Sequence, residues 1–402
     1  MSARHDVLIV GGGLVGASLA IALDRLGRDV ALVEATPPGE VPAVFDERNL
    51  SFAAATVNAL TTLGVMQRLR NPTGPIRQIH VSRAGDFGRV LLKARDYGRS
   101  EFGQVVVARD FGVALEDALA DCRHLTRYRP ATFLRLAPER EGLRQVRIGT
   151  GDGEIELSAP LLVGADGNRS AVRGALGIGA ERHDYGQRLF VARVRTSRAP
   201  DGTAWERFGN DGPTALLPRG DRHHGLIHGV AEDRAEAVAA LDEAGWLAQA
   251  QAAFGWRAGK FLASGPRSAY PIIKVLAERV VAARAVLLGN AAQSIHPLGA
   301  QGFNLGLRDA LTLAELVAES EDPGSDALLA EYVHRRQPDR ERTLRFSDGL
   351  ARLTGNDAPL LRPLRSAGLL AAGSVPAVQS MLVGGAMGFA GDVPALCREV
   401  HA

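Results

Sequence analysis

The sequence predicts an α/β fold: a Rossmann-like nucleotide-binding domain, an inserted antiparallel-sheet domain and a helical C-terminal region. Three observations carry this. Two Gly-rich strand-to-helix turns stand at opposite ends of the 402-residue chain, IVGGGLVGASLA from Ile9 and VLLGNAAQSIHPLGAQGFNLGLRD from Val286. Between them, from Arg188 to Arg267, the pattern shifts to short segments of alternating apolar and polar residues, the period of half-buried strands. Beyond them, Ser366 to Gly391 is a run of 26 residues without a charge, broken by Pro376 and several glycines. One Gly-rich turn binds many nucleotides. Two, so far apart, point to one long cofactor held at both ends. FAD has that shape, with adenosine at one turn and flavin at the other.

The first turn has a specific physical reading. His5 to Val10 is a short apolar strand, and Gly11, Gly13 and Gly16 form GxGxxG. Gly11 permits the tight turn, Gly13 lets the backbone approach a pyrophosphate, and Gly16 lets the next helix pack on the strand. That helix, about Leu14 to Leu26, aims its free N–H groups and positive dipole end at the phosphates. The next strand, Val30 to Glu34, ends on an acid 18 residues after Gly16. A carboxylate there accepts both ribose hydroxyls and repels a 2′-phosphate, which favours FAD or NAD over NADP. The uncharged run Val7–Leu23 is 17 residues, short for a membrane span, and a secretory-signal reading would leave Glu34 without a role.

The remaining elements follow in order. Phe45 to Gly64 carries Asp46 and Arg48 ahead of a helix. Ile76 to Leu92 alternates like strands, and Gln104 to Leu119 reads as a strand turning into an amphipathic helix. Ala131 to Leu157 suggests a small antiparallel meander. Leu161 to Gly167 is a buried strand ending in Ala-Asp-Gly. Leu189–Val194, Trp205–Phe208 and Gly225–Val230 are strands of the inserted sheet, interrupted by a helical stretch from Arg234 to Phe254. His223 and His224 mark a hairpin tip. The expected domains are 1–75, 103–180 and 268–345 for the cofactor, 76–102 and 181–267 for substrate, and 346–402 for the helical C-terminal region.

Composition fits a globular enzyme of the cytoplasm. The hydrophobic fraction is 46%, the charged fraction 23%, and the 46 glycines suit several backbone turns near a cofactor. A net charge of +2 makes no case for nucleic acid. The two cysteines, Cys122 and Cys397, make neither a disulfide framework nor a zinc site, and no metal-ligand spacing appears.

These motifs together resemble the class A flavoprotein aromatic hydroxylases, the para-hydroxybenzoate hydroxylase fold. Within that class the chain is most similar to the ubiquinone-biosynthesis hydroxylases, on the branch of 2-polyprenyl-6-methoxyphenol hydroxylase. The resemblance rests on GxGxxG, on Gly164-Ala165-Asp166-Gly167 followed by Arg169, Ser170 and Arg173, and on the flavin-side motif from Gly289 to Asp309. WERFGNDGPTALLP from Trp205, AFGWRAGK from Ala253 and RSAYP from Arg267 look like subfamily strings. Two departures stand out. Asn290 occupies a position usually held by Asp, keeping a carbonyl acceptor without the charge. Val107-Ala108-Arg109 replaces a frequent Glu-Asn-Arg, so only Arg109 is carried over.

The resemblance implies FAD as the bound cofactor, NAD(P)H as a transient reductant with no fold motif of its own, molecular oxygen, and a prenylated phenol as substrate. It places Arg48, Arg109, Asp166, Gly289, Asn290, Pro297, Gly299, Gln301, Gly302 and Asn304 around the cofactor beside Gly11, Gly13, Gly16 and Glu34. Asp309 would anchor the flavin-side helix. The helix starting near Gln301 would turn its positive end toward the electron-rich flavin edge. His296, before Pro297, reads as a backbone-shaping residue, and no substrate-activating base is identified. Three alternatives stay open: hydroxylation at another ring position, a soluble aromatic substrate, and a non-catalytic flavin-binding scaffold among quinone-pathway enzymes. The uncharged Ser366–Gly391 segment reads either as buried helices over the substrate domain or as an apolar apron. In the second case it would meet a membrane's inner face or other ubiquinone-biosynthesis enzymes.

Overall fold

The computed structural model describes residues 3–40, 46–209, 211–355 and 362–398. Phe45 and Asn210, inside two of the segments above, lie outside the described residues, as do the first two and last four residues of the chain. The cofactor end is built on a six-stranded sheet in the order Val281–Ala282, Ala285–Leu287, Leu161–Gly164, Val7–Val10, Val30–Val33, Leu125–Tyr128. All its pairings are parallel except the terminal hairpin. Its central strands, VLIV, VALV and LLVG, are buried along their whole length, because a parallel sheet is covered on both faces. Helices Leu14–Arg25, Ala108–Ala120 and Gln301–Ala318 pack on one face through Leu19, Leu23, Phe111, Leu115, Leu307 and Leu311. The expected meander, Ala131–Arg140, Leu143–Thr150 and Gly153–Ala159, covers the other with Val146, Ile148 and Leu157.

The second sheet is larger and mostly antiparallel. It runs Gln293–Ser294, Ser268–Ala277, Ala180–Thr196, His224–Ala231, Pro213–Pro218, Thr203–Phe208, Gln78–Arg83, Arg89–Lys93, and Phe261–Ser264 pairs beside Ala180–Thr196. Two of these strands come from the 268–345 segment. Ser268–Ala277 pairs with Ala180–Thr196 over most of its length, and the apolar pattern runs on from it toward the cofactor sheet without a breaker to mark the change. Helix Glu243–Phe254 closes one face of the sheet, with Trp246 and Phe254 packed against Phe190, Leu216 and Leu226.

The C-terminal region lies over the opposite face. Helices Arg362–Ser374 and Pro376–Met387 meet at an 83° bend. Pro376 sits in the first turn of the second helix, where its missing N–H costs nothing. Leu369, Ala372, Leu382, Val383, Met387 and Phe389 join Ile76, Ile79, Val81, Val90, Leu92, Ala204 and Leu217 in one cluster. The other side of the pair remains open: Met381 is 68% exposed and Leu364 67%, beside Phe87 at 74%. The uncharged segment is therefore core on one side and apolar surface on the other. Among the described residues no single helix is long and apolar enough to cross a membrane.

Candidate functional site

Strand register brings the Gly-rich turns together. Val10 pairs with Val33 and with Gly164, and Gly164 pairs with Leu287. Gly11, Glu34, Ala165-Asp166 and Leu288-Gly289 therefore all leave the sheet at the carboxyl ends of four adjacent strands, the edge where open α/β sheets bind ligands.

The first turn is sterically tight. Gly11 has φ +107°, and a Cβ there would lie 2.5 Å from the Ala165 carbonyl oxygen. A Cβ on Gly16 would lie 2.0 Å from the Gly11 carbonyl oxygen, so only glycine lets the helix start this close to the strand. Gly13 caps that helix in an extended conformation. The Glu34 carboxylate accepts the Gly12 N–H at 2.7 Å and the Thr36 N–H at 2.8 Å. It is half-buried, and each oxygen keeps a lone pair for a ribose hydroxyl. The turn, the helix end and this carboxylate fit the adenosine diphosphate half of FAD.

The second turn is pressed against the first. Gly289 (φ +54°) and Gly306 both face Val15, with Cβ positions 3.0 and 2.9 Å from its Cγ2. Arg173 donates to the Ala291 carbonyl at 2.8 Å and to Asn168 at 2.9 Å, tying the Asp166 loop to this turn. Asp166 itself accepts from Ser170 Oγ at 2.5 Å and from the Val172 N–H at 3.1 Å, which shapes the loop and starts the short helix Ala171–Ala175.

In the stretch after Ala291, exposed and buried positions separate by role. Pro297, Gly299 and Gly302 are exposed, as is Asn290; they form the surface on which a flavin ring can lie. Gln301 and Asn304 are buried beneath it. Gln301 donates to the Gly299 carbonyl at 3.0 Å. Asn304 makes four bonds: its Oδ1 accepts the Ala53 N–H (3.0 Å) and Thr56 hydroxyl (2.7 Å), and its Nδ2 donates to Ser51 and Ala300 carbonyls (3.0 and 2.8 Å). These two side chains hold the turn's shape from below. Ala300, at φ +51°, caps helix Gln301–Ala318, whose first N–H groups have no partner within the helix. Such a helix end favours an electron-rich group above it.

Asp309 is 3% exposed and accepts Arg336 Nε at 2.7 Å and Gln293 Nε2 at 2.8 Å. Arg308 and Arg336 both reach Asp339, at 2.8 and 2.5 Å. The two arginines hold the Asp339 carboxyl down at about 2 against the opposing effect of burial. This network clamps the flavin-side helix to helix Asp326–Gly355. His296 is 2% exposed. Its Nδ1 accepts the Leu298 N–H at 3.3 Å and its ring meets Tyr185 edge-on at 4.7 Å. Burial lowers its pKa to about 4, so at neutral pH it shapes the backbone as an uncharged ring.

Arg48 and Arg109 are brought side by side. The Ala108 N–H donates to the Arg48 carbonyl and the Arg109 N–H to that of Asp46, both at 2.8 Å. Arg48 pairs with Asp46 at 2.9 Å and lies over the Tyr270 ring at 4.6 Å. Tyr270 donates its hydroxyl to Asp46. Arg109 is exposed and pairs with Glu47 at 3.2 Å. Sequence reasoning had not singled out Tyr270, although it lay inside RSAYP. It arrives from the large sheet, and no local pattern links it to Asp46, 224 residues away.

Residues 4–347 match the FAD binding domain family. The chain belongs to this FAD-binding family. Over 388 residues it is 34% identical to ubiquinone hydroxylase UbiL of Rhodospirillum rubrum, covering 95% of this chain and 89% of that protein. Against 3-demethoxyubiquinol 3-hydroxylase of Escherichia coli it is 30% identical over 378 residues, 91% and 94% of the two chains. In fold it is similar to the p-nitrophenol 4-monooxygenase PnpA of Pseudomonas putida, with TM-score 0.79, 19% identity and coverage of 97% and 99%. The FAD-binding match spans both Gly-rich turns and the sheet inserted between them.

Proposed function

We propose that the protein is an FAD-dependent monooxygenase that hydroxylates the ring of a polyprenylated phenol in ubiquinone biosynthesis. The overall change is ring C–H + O2 + NAD(P)H + H+ to ring C–OH + NAD(P)+ + H2O. The observation that carries the reading is the convergence of both Gly-rich turns on one sheet edge, in a chain whose relatives along nearly its whole length include ubiquinone hydroxylases. Bound FAD supplies two-electron transfer from NAD(P)H and oxygen activation. The chain's own residues do the rest. Gly11, Gly13 and Gly16 admit the pyrophosphate, and Glu34 holds the ribose. Asp166 and Gly289-Asn290 border the middle of the cofactor, with Arg48 and Arg109 to one side. Pro297, Gly299 and Gly302 offer backbone to the ring, supported by Gln301 and Asn304.

The apolar cluster between the large sheet and the C-terminal helices supports a tail-bearing substrate. Ile79, Val81, Ala204 and Leu217 are half-buried on the sheet, facing Leu369, Leu382 and Phe389. The exposed side of the same helix pair, Leu364, Leu370, Val375 and Met381, supports peripheral contact with the inner face of a membrane from the cytoplasm. Quinone-intermediate profiling tests the reading: a deletion strain should lose ubiquinone and accumulate a prenylated phenol, and the purified protein should release FAD and couple NAD(P)H oxidation to hydroxylation. Normal ubiquinone in a strain without paralogues would refute it.

A further inference from the structure

One carboxylate of the large sheet reaches the flavin-side turn. Glu206 lies in strand Thr203–Phe208, and its side chain comes close to the Gly299 N–H. Alternation along this strand separates two faces. Trp205 and Arg207 turn toward helix Glu243–Phe254, where Trp205 packs near Phe254 and Arg207 donates to the Phe254 carbonyl. Glu206 turns the other way with Ala204, onto the face that the C-terminal helices cover. Its cross-strand neighbours are Val81 and Ala215. A half-buried carboxylate on an apolar sheet face, with no cation in salt-bridge reach among the described residues, contributes nothing obvious to stability.

We propose that Glu206 is the group that accepts the phenol proton of the substrate. The inference rests on the hydroxylase reading above and deepens it. A phenol ring held beside the flavin at the edge of the Pro297–Gly302 turn, with its tail toward Ile79, Val81 and Leu217, brings its hydroxyl to the carboxylate near Gly299. As the O–O bond of the oxygen reduced by NAD(P)H breaks, one atom bonds to the ring carbon and the other leaves with the bonding pair as water, while the phenol O–H breaks and its proton moves to Glu206. Electron density from the phenol oxygen enters the ring, where the new C–O bond forms. The displaced ring hydrogen leaves as a proton when the ring becomes aromatic again. Glu206 then returns its own proton to solvent or product, so no net charge accumulates.

The electrostatics suit a proton acceptor at neutral pH. Burial raises the Glu206 carboxyl to about 7, partly opposed by the Gly299 N–H. Few charged groups share its surroundings. Its own strand offers Ala204 and Phe208, and the flanking strands offer Val81 and Ala215. Arg83, farther along on the same face, is buried and pairs with Asp86 at 3.7 Å. In the turn, His296 is the titratable side chain, and it is directed to Leu298 and Tyr185. The C-terminal helices offer Leu382 and nearby Phe389. A general base tuned close to the working pH combines availability with driving force.

The test compares wild type with Glu206→Gln and Glu206→Asp, as FAD-loaded protein with NAD(P)H, oxygen and a short-chain prenylated methoxyphenol. Melting and FAD content of Glu206→Gln should match wild type near pH 6, because the amide keeps the size and the acceptor for Gly299. Its hydroxylation rate should fall by about 10²-fold, with more peroxide formed per NAD(P)H. Wild-type kcat/KM for hydroxylation should rise with pH through about 7; Glu206→Gln should lose that limb, and Glu206→Asp should restore part of the rate. An active wild type with an equally active Glu206→Gln and an unchanged pH limb would overturn the role of Glu206 alone. Wild type inert toward prenylated phenols would overturn the substrate reading, and this role with it.

Discussion

The two Gly-rich turns perform similar work by different means. At the first, backbone meets backbone: Gly11 lies against Ala165 and Gly16 against Gly11, at separations a side chain cannot enter. At the second, side chains from distant segments hold the loop. Asn304 ties it to Ser51, Ala53 and Thr56, and Asp309 ties its helix to Gln293 and Arg336. The first turn is specified over a few neighbouring residues. The second takes its shape from partners up to 253 positions away. Backbone sterics tolerate almost no substitution, whereas a hydrogen-bonded support loses stability in graded steps.

Substitutions at five positions probe this contrast and the C-terminal helices, from the largest expected effect to the smallest, the last set beside a buried control. Asp339→Ala should be the most damaging, because it leaves Arg308 and Arg336 buried with fewer partners. Removing one member of a buried ionic network costs about 3–5 kcal/mol, measurable by denaturant titration at pH 7. The pH dependence has a defined sign. The Asp339 carboxyl is lowered to about 2 in the folded protein, so its contribution is present above the ordinary value of 3.8 and disappears as pH falls through about 2. A wild-type acid-unfolding curve identical to that of Asp339→Asn would show that the network contributes no such dependence.

Asn304→Leu should cost about 2–4 kcal/mol, since the Ala53 N–H and the Ser51 and Ala300 carbonyls lose their partner. FAD affinity should fall with it, as the supported turn relaxes. Full stability with normal FAD titration would mean that the turn holds its shape without this side chain. At the first turn, Glu34→Ala should leave the fold intact and weaken FAD binding by about tenfold or more, the value of a charge-assisted hydrogen bond at roughly 1.5–3 kcal/mol. Unchanged affinity would place the ribose elsewhere.

The smallest effect on stability is expected at Met381→Asp, on the open side of the C-terminal pair. Its melting should stay within about 0.5 kcal/mol of wild type, while sedimentation with anionic vesicles drops. Leu382→Asp, one residue on but packed in the sheet cluster, should instead lower the melting temperature, as burial of an unpaired charge does. Equal vesicle binding by wild type and Met381→Asp would remove the case for membrane contact through this face.

Much of the cofactor half was legible in the chain itself. A strand, three glycines, a helix and an acid lie within about thirty residues of one another, and each position has a local physical reason. The expected helix at Leu14–Leu26 is Leu14–Arg25 in the structure, and the expected meander over Ala131–Leu157 is present. The buried run Leu161–Gly164 and the helix from Gln301 also lie where the pattern placed them. The division at 268 is where local reading met its limit. Ser268–Ala277 is an apolar stretch whose pairing partner, Ala180–Thr196, lies about ninety residues earlier, and a strand's own sequence does not state which sheet it joins.

The sequence by itself determined the class of the cofactor site, because glycine spacing, strand termination and a carboxylate at the strand end follow from backbone sterics and charge over short distances. Tertiary structure decided what the site's side chains do. Asn304, which the resemblance set around the cofactor, became a buried support of the turn, and Asp309 met its helix-anchoring partners in Gln293 and Arg336. Asp46, Arg48 and Tyr270 became one cluster through a contact between two sheets. Glu206, inside the alternating strand Trp205–Phe208, took its apolar sheet-face surroundings from the fold. A side chain's chemistry depends on its desolvation and on the partners it meets, and chain folding brings those partners from segments that local spacing does not connect.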